Sequence, residues 1–188
     1  FASPCALVIA TPTATLAAIA RAARAGLLFK GGQSIERLAT IGAICFDKTG
    51  TLTMGRPQVY EIQPVAWSDT PRLLSIAAGL EADSTHPIAA AVRDIAGKRG
   101  VKPAMIGELG HITGKGISGA MGAARVRLGS YSFTEELIPI CLRAKVRELL
   151  EQAKGRGHVA IVAAHESPDL PAGGEAAVIL MADPPRPG

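Results

Sequence analysis

The sequence has few aromatic residues, few cysteines and no basic cluster, and each shortage limits what the protein can be. Phe, Trp and Tyr make up 4% of the 188 residues, so the core must be aliphatic. The three cysteines form no CxxC pair, which argues against a zinc knuckle or a disulfide framework and favours a reducing, intracellular location. The net charge is only +4, and no run of Lys and Arg interleaved with aromatics indicates a nucleic-acid partner.

Charge is also absent from the first twenty residues. A charge-free run as long as residues 1–20 could cross a bilayer, and the basic residues that follow, such as Arg21 and Arg24, are typical of the cytoplasmic side. A buried, Ala-rich helix of a soluble protein is the alternative. Two prolines and the lack of a basic leading segment argue against a secretory signal. We favour a membrane segment in contact with lipid, and we expect the chain to be a fragment of a longer protein.

The remaining sequence alternates between helical and strand patterns. Helices are predicted in residues 13–25 with a cap at Gly26, in "QSIERLATIG" up to Gly42, and in "SDTPRLLSIAAGLEA", "HPIAAAVRDIAGKRG" and "CLRAKVRELLEQAKGRG". Strands are predicted in "AICF", "PQVYEIQPV", a glycine-rich meander over 104–129, "HVAIVAAHE" and "EAAVILMADP". One buried parallel strand followed by helices and antiparallel strands predicts a small domain inserted into an α/β domain.

Asp47 directly follows "AICF", at the edge where parallel sheets bind ligands. Gly50 frees the backbone of the next turn, and nearby hydroxyls could donate to an anion: those of Thr49, Thr51 and Thr53. Lys48 or a bound Mg²⁺ could offset the repulsion between a carboxylate and a phosphate. The chemistry that fits is attack of the Asp47 carboxylate on phosphorus. An Asp that only caps its own turn is the structural alternative, but the whole heptad argues against it.

This heptad, "DKTGTLT" at residues 47–53, resembles the phosphorylation motif of the P-type ATPases at every position. Their phosphorylation domain belongs to the haloacid dehalogenase superfamily, whose phosphatases carry a second Asp two residues after the nucleophile. Thr49 occupies that position here and cannot act as a general acid or base near neutral pH. The resemblance therefore implies a persistent phosphoenzyme, with Asp47, Lys48 and Thr49 as catalytic residues and with Mg²⁺ held by Asp47 and Thr49.

Two further motifs resemble the heavy-metal-transporting branch of that family. "EADSTHPIAAAV" is similar to its nucleotide-binding helix, and "GKGISG" is similar to its glycine loop. The resemblance implies six ATP-binding residues: Glu81, His86, Gly114, Gly116, Gly119 and, in "LGS", Ser130. Taken alone, a His before Pro is more typical of a helix start, and the glycines fit a flexible hairpin equally well. They do not fit a dinucleotide fingerprint, because alternating residues follow them instead of a helix.

Ser-Pro-Cys at residues 3–5 lies in a segment that resembles the metal-binding membrane helix of this branch. Pro4 would break the helical hydrogen-bond ladder and free backbone carbonyls. Cys5 offers one thiolate and Ser3 only a hard oxygen, and a single soft ligand argues against Cu⁺. The tripeptide is similar to a subgroup associated with Co²⁺, with Zn²⁺ or Fe²⁺ as further candidates. A packing role for Cys5 is the alternative.

The other histidines and cysteines are expected to have structural roles. We expect His111, His158 and His165 to be solvated or structural, and Cys45 and Cys141 to be packed thiols.

Together, the resemblance implies an α/β fold: part of a haloacid-dehalogenase-like phosphorylation domain with an inserted α+β nucleotide-binding domain, an antiparallel sheet flanked by helices. We assign 1–29 to part of a transmembrane helix and its cytoplasmic extension. We assign 30–56 and 181–188 to the phosphorylation domain and 57–180 to the nucleotide-binding domain.

The function implied is ATP-driven export of a divalent heavy-metal cation by a multi-pass membrane protein through an aspartyl phosphate. The isolated chain is expected to bind ATP at best weakly and not to turn it over. A soluble phosphatase or phosphotransferase of the dehalogenase superfamily and a non-catalytic ATP-binding module are the two alternatives.

Overall fold

The computed structural model describes residues 5–187, without the side chains of residues 5–7 and of Thr49. The chain divides into two compact units, Phe1–Phe46 and Asp47–Gly188.

Helix α1, Cys5–Arg24, begins before the predicted start at residue 13 and runs through Pro12. It ends as Gly26 predicts: this glycine has a φ of +80°, and the N–H of Leu27 donates to the carbonyl of Ala22 over 2.9 Å. That is the Schellman geometry, which glycine adopts without a Cβ penalty. Among the described residues, no helix has the length and apolar character needed to cross a membrane.

The prediction of a strand in "AICF" is wrong. Residues 41–47 form neither helix nor strand, and Ile44, Cys45 and Phe46 are exposed. A strand must share its backbone hydrogen bonds with a neighbour, and no described strand pairs with this segment. Cys45 is therefore an exposed thiol instead of a packed one. Helix α2, Gly32–Leu38, also ends before the predicted stop at Gly42.

The second unit is built on a six-stranded sheet in the order β1-β6-β5-β4-β3-β2, in which every pair is antiparallel. Its strands are β1 Gln58–Pro64, β2 Gly107–Ile112, β3 Gly116–Met121, β4 Ala124–Gly129, β5 Val159–Glu166 and β6 Gly174–Ala182. The strand patterns outside "AICF" are thus confirmed, including the meander over 104–129.

Helices cover both faces of this sheet. They are α3 Thr70–Leu80, α4 Pro87–Lys98, the short α5 Tyr131–Thr134, and α6 Ile140–Gly155. Side chains of β6 alternate between the faces: Ile179 packs with α3 and α4, whereas Val178 and Leu180 pack with α6. Burial of each such side chain contributes about 2 kcal/mol. Cys141 lies on the exposed side of α6, so the prediction that it is packed is wrong.

A buried carboxylate fastens the start of α3 to β6. Glu175 is fully buried and accepts hydrogen bonds from Arg72 Nε over 2.5 Å, from the Asp69 N–H over 2.9 Å and from His165 Nδ1 over 2.9 Å. Burial by itself would raise the pKa of Glu175, but the hydrogen bonds from its partners lower it from 4.5 to about 2. His165 is thus a structural residue, as expected.

Candidate functional site

A cavity of about 560 Å³ lies in the second unit between the α3–α4 loop, the β2–β3 hairpin and the sheet. Apolar side chains of the sheet form its floor: Ile117, Leu128 and Ile161. Glu81 and His86 of the loop and Lys115 of the hairpin add polar groups. Small-molecule sites have this combination, in volumes of roughly 300–1,000 Å³.

The cavity brings together five of the six residues that the resemblance assigns to the nucleotide: Glu81, His86, Gly114, Gly116 and Ser130. Gly119 is the exception and does not line it. A Cβ at Gly119 would lie 3.1 Å from the carbonyl oxygen of Gly107 and 3.1 Å from Leu80 Cδ2. The lack of a side chain at this position therefore serves the close packing of β3 against β2 and α3.

His86 is the N-cap of α4, and this role sets its tautomer. Its Nδ1 accepts a hydrogen bond from the N–H of Ile88 over 3.2 Å, and Pro87 follows at the first helical position. A neutral imidazole whose Nδ1 accepts carries its proton on Nε2. His86 thus keeps one N–H donor for a molecule in the cavity, so the helix-start role and the binding role are compatible.

Two glycines close the inner end of the glycine loop. Gly116 and Gly129 lie opposite each other on β3 and β4, with φ of +151° and +154°. A Cβ on Gly116 would overlap the carbonyl oxygen of Leu128, and one on Gly129 would overlap that of Lys115. The N–H of Ser130 donates to the same Lys115 oxygen over 2.8 Å. The hairpin and the start of α5 are therefore held together beside the cavity.

The sequence does not indicate several cavity residues, among them Gly129, His111, Thr113 and Lys115. His111, expected to be solvated or structural, is exposed and also lies in the cavity wall. Lys115 and Gly129 occur within "GKGISG" and "LGS", but their positions in the wall follow from the pairing of β3 with β4. The predicted meander over 104–129 includes this pairing but not its register, which sets Gly116 opposite Gly129.

Asp47 precedes a single π-helical turn, Lys48–Leu52, instead of ending a strand. Asp47 and Lys48 are exposed and are not among the residues that line the cavity. Only the backbone of Thr49 is described, so its side chain lies outside the described part of the chain. The turn and the cavity are thus two separate features of the second unit.

Thr53 and Asp183 hold this turn in shape. The Thr53 hydroxyl accepts a hydrogen bond from the N–H of Gly50 over 3.2 Å and donates to Asp183 Oδ2 over 2.5 Å. Asp183 also accepts from the N–H groups of Gly55 and Arg56, each over 3.1 Å. The Thr53 hydroxyl, expected to be available to a bound anion, therefore serves a carboxylate 130 positions away along the chain.

The donor groups near the turn fit Mg²⁺ only in part. The described residues contain no group of three or more His, Cys, Asp or Glu that could hold a metal ion. Asp47 offers one carboxylate, the hard oxygen ligand that Mg²⁺ prefers. One carboxylate fits a Mg²⁺ that arrives with the phosphate oxygens of a nucleotide.

The predicted site for a transported metal falls largely outside the described part of the chain. Ser3 and Pro4 lie outside the described residues, and only the backbone of Cys5 is described, as the first residue of α1.

The sequence of residues 41–188 matches the family described as haloacid dehalogenase-like hydrolase. A probable copper-transporting ATPase of Synechococcus elongatus is 45% identical over 130 residues, which cover 69% of this chain and 16% of that protein. The zinc/cadmium/lead-transporting P-type ATPase of Escherichia coli is 40% identical over 131 residues, which cover 65% of this chain and 17% of that protein.

Solved structures agree with these relatives. A zinc-transporting PIB-type ATPase in the E2.Pi state superposes with a TM-score of 0.73 and 32% identity, over 97% of this chain and 28% of that one. The N-domain of a copper-transporting P-type ATPase superposes with a TM-score of 0.52 at 19% identity, which shows a shared fold alone.

The chain spans less than a third of the length of the transporters that it resembles. The family match covers most of the chain, and these relatives are all described as ATPases that transport heavy metals. This chain therefore belongs to the haloacid dehalogenase-like hydrolase family, and its relatives are heavy-metal-transporting P-type ATPases.

Proposed function

We propose that this chain is the ATP-binding part, with the phosphorylation turn, of an ATP-driven heavy-metal exporter. The observation that carries the proposal is the cavity, which places Glu81, His86 and the glycine loop around an apolar floor. The purine fits against that floor, and the Nε2–H of His86 donates to the nucleotide. The glycine loop lets ATP approach the backbone, because Gly114 has no side chain to obstruct it and has open space beside it.

Asp47 is the nucleophile in this proposal. Its carboxylate attacks the γ-phosphorus of ATP, the bond from that phosphorus to the β–γ bridging oxygen breaks, and ADP leaves. Lys48 offsets the negative charge that develops there. Mg²⁺, when bound with the nucleotide, supplies further charge neutralisation at Asp47 and Thr49. Thr49 replaces the general acid–base of a phosphatase, so the aspartyl phosphate persists and can drive a conformational change.

The domain assignment is part of the same proposal. Residues 57–180 form the nucleotide-binding domain, and 30–56 and 181–188 belong to the phosphorylation domain. Two contacts support this division: the β-bridge between Thr53 and Pro185 and the hydrogen bonds of Asp183. They pair the segment that enters the nucleotide-binding domain with the segment that leaves it. Residues 1–29 are assigned to part of a membrane helix, in contact with lipid, and its cytoplasmic extension in a multi-pass protein.

The transported substrate is a divalent heavy-metal ion held in part by Cys5 and Ser3. Co²⁺ is our first candidate, with Zn²⁺ and Fe²⁺ next, because Ser-Pro-Cys offers one soft ligand. The relatives are described as transporters of copper or of zinc, cadmium and lead. These descriptions support a heavy-metal substrate without favouring cobalt.

The nucleotide site is tested by calorimetric titration of the 188-residue chain with ATP. We expect weak binding that becomes about tenfold weaker in His86→Ala, the loss of one hydrogen bond with its packing. His158→Ala is the matched control, since His158 does not line the cavity. Failure of the wild type to bind ATP, or equal affinity in His86→Ala, would overturn the assignment.

The phosphorylation step is tested in membranes that contain the intact parent protein. Acid-stable label from radioactive ATP is measured with Co²⁺, Zn²⁺, Fe²⁺ or Cu⁺, beside an Asp47→Asn variant. We expect label that requires Asp47 and responds to Co²⁺. A best response to Cu⁺ or Zn²⁺ would retain the pump and replace the metal, whereas the absence of Asp47-dependent label under every metal would refute the mechanism. Phosphate release from a small soluble substrate would instead favour a phosphatase.

A further inference from the structure

Arg93 of α4 reaches back to the loop that precedes its own helix. Its Nη1 donates to the carbonyl of Ser84 over 2.8 Å and also to the carbonyl of Glu81. Arg93 is half-buried and does not line the cavity, whereas Glu81, Ser84 and His86 do. One guanidinium nitrogen thus connects two carbonyl groups of the loop that lines one side of the cavity.

The other polar contacts within this loop are long. The N–H of Ser84 donates to the Glu81 carbonyl over 3.3 Å, and the N–H of His86 donates to the Ser84 hydroxyl over 3.3 Å. Both distances exceed the usual range for N–H···O bonds. Hydrogen bonds from a charged donor are roughly twice as strong as those between neutral groups. Arg93 is therefore the strongest polar restraint on the loop among its described contacts.

The charge of Arg93 also suits its location. Glu81 is the C-cap of α3, and the carbonyl groups at a helix C-terminus carry partial negative charge. A cation held against these carbonyls is stabilised, and in turn it fixes the direction in which the chain leaves α3. The path of the chain after α3 sets the positions of the Glu81 side chain and the His86 ring, which both line the cavity.

We propose that Arg93 is a positioning residue of the nucleotide cavity, which orders the 81–86 loop before a ligand binds. The inference rests on the proposed ATP site. Without the guanidinium, the Glu81 and Ser84 carbonyls bond to water and the loop adopts more conformations. A nucleotide must then order the loop as it binds, which reduces its affinity.

The first test measures the loop directly, without a ligand. Amide ¹H–¹⁵N spectra of the full chain are compared for wild type, Arg93→Met and Arg99→Met. Arg99→Met is the matched control, because Arg99 is an exposed residue at the C-cap of the same helix. We expect shifted or broadened signals within the 81–88 segment in Arg93→Met alone, with the strand signals unchanged. An unperturbed loop in a folded Arg93→Met protein would overturn the inference.

The second test measures ATP affinity by calorimetry. Arg93→Met is expected to bind ATP about tenfold more weakly, while Arg99→Met binds it as the wild type does. Arg93→Lys should stay within about threefold of the wild type, because an ammonium can also donate to two carbonyls. It also serves as the second variant if Arg93→Met does not fold. An Arg93→Lys protein as impaired as Arg93→Met would count against the proposed hydrogen bonds.

A double variant separates positioning from general loss of structure. If Arg93 acts through the loop that presents His86, its replacement in a His86→Ala background should weaken ATP binding by less than about threefold. Fully additive effects would overturn the positioning role. A wild-type protein that does not bind ATP would refute the proposed function, and the spectra would still decide whether Arg93 orders the loop.

Discussion

The two units of this chain differ in what holds their elements together. Among residues 8–46, whose side chains are described, none is buried, whereas the second unit has an apolar cluster on each face of its sheet. Helix α1 forms in the first unit because its hydrogen bonds and its Gly26 cap are local. Residues 43–46 form no strand there, because the hydrogen bonds of a strand require a second segment. The first unit thus depends on hydrogen bonds between neighbouring residues, whereas the second depends on contacts between segments that are far apart in the chain.

The largest expected effect comes from equal truncations in the two units. Leu74 of α3 is 1% exposed and Leu16 of α1 is 66% exposed. Leu74→Ala should lower the free energy of unfolding by about 3 kcal/mol, since it leaves a cavity in the core. Leu16→Ala should change it by less than about 0.5 kcal/mol. Urea unfolding followed by circular dichroism measures both changes, and the fluorescence of Trp67 reports on the second unit alone; similar losses would contradict the contrast between the units.

A collision between strands should have the next largest effect. Gly129→Ala places a Cβ against the Lys115 carbonyl, and we expect a loss of about 2–3 kcal/mol in stability together with weaker ATP binding. Gly122→Ala is the matched control, because Gly122 also has a positive φ, +62°, but open space around it. It should lose only about 1 kcal/mol from backbone strain. Equal losses would mean that strain, and not the close approach of β3 and β4, governs Gly129.

Acid should weaken the second unit through Glu175. Its pKa in the folded state, about 2, lies below the value of 4.5 expected when it is free. The stabilisation is therefore complete above the unfolded pKa and is lost as the pH falls from about 4.5 towards 2. We expect the difference in unfolding free energy between wild type and Glu175→Gln to be constant from about pH 7 to 6 and to shrink towards pH 3. A difference that does not vary with pH would refute this account.

The smallest effect should come from a helix cap in the first unit. Gly26→Ala forces a side chain into a left-handed conformation and should reduce the stability of α1 by about 1 kcal/mol, seen as a weaker helical signal in circular dichroism. Gly97→Ala, inside α4, is the control of opposite sign: it meets no neighbour, and alanine is the better helix former. A gain at both positions would show that φ at Gly26 is not limiting.

Much of the fold could be predicted because its signals are short in range. Asp69 and His86 cap the helices that they precede, and Gly100 closes α4 with a φ of +66°. The strands predicted in "HVAIVAAHE" and "EAAVILMADP" are confirmed by β5 and β6. "AICF" was predicted wrongly because an apolar run does not show whether a partner strand is present. The pattern of a strand was there, but its hydrogen-bond partner was not.

The candidate site divides in the same way. The heptad from Asp47 and the motifs around His86 and Gly116 could be identified from the order of residues alone. Asp183 could not, since its link to Thr53 joins positions far apart in the chain. Gly119 belongs to a motif by its spacing, but the structure uses it for packing. Neither outcome could be deduced without the strand register.

The sequence by itself determined the local elements: the caps, the helix faces, the strand alternation and the motifs that resemble a family. These depend on interactions between residues a few positions apart. Only the tertiary structure decided that Lys115 and Gly129 stand beside the cavity, that Asp183 holds the turn Lys48–Leu52, and that Arg93 holds the loop before its own helix. Such contacts depend on how the chain returns on itself. The folding of the chain back on itself is driven by the burial of its whole apolar surface, so no single stretch of residues predicts these contacts.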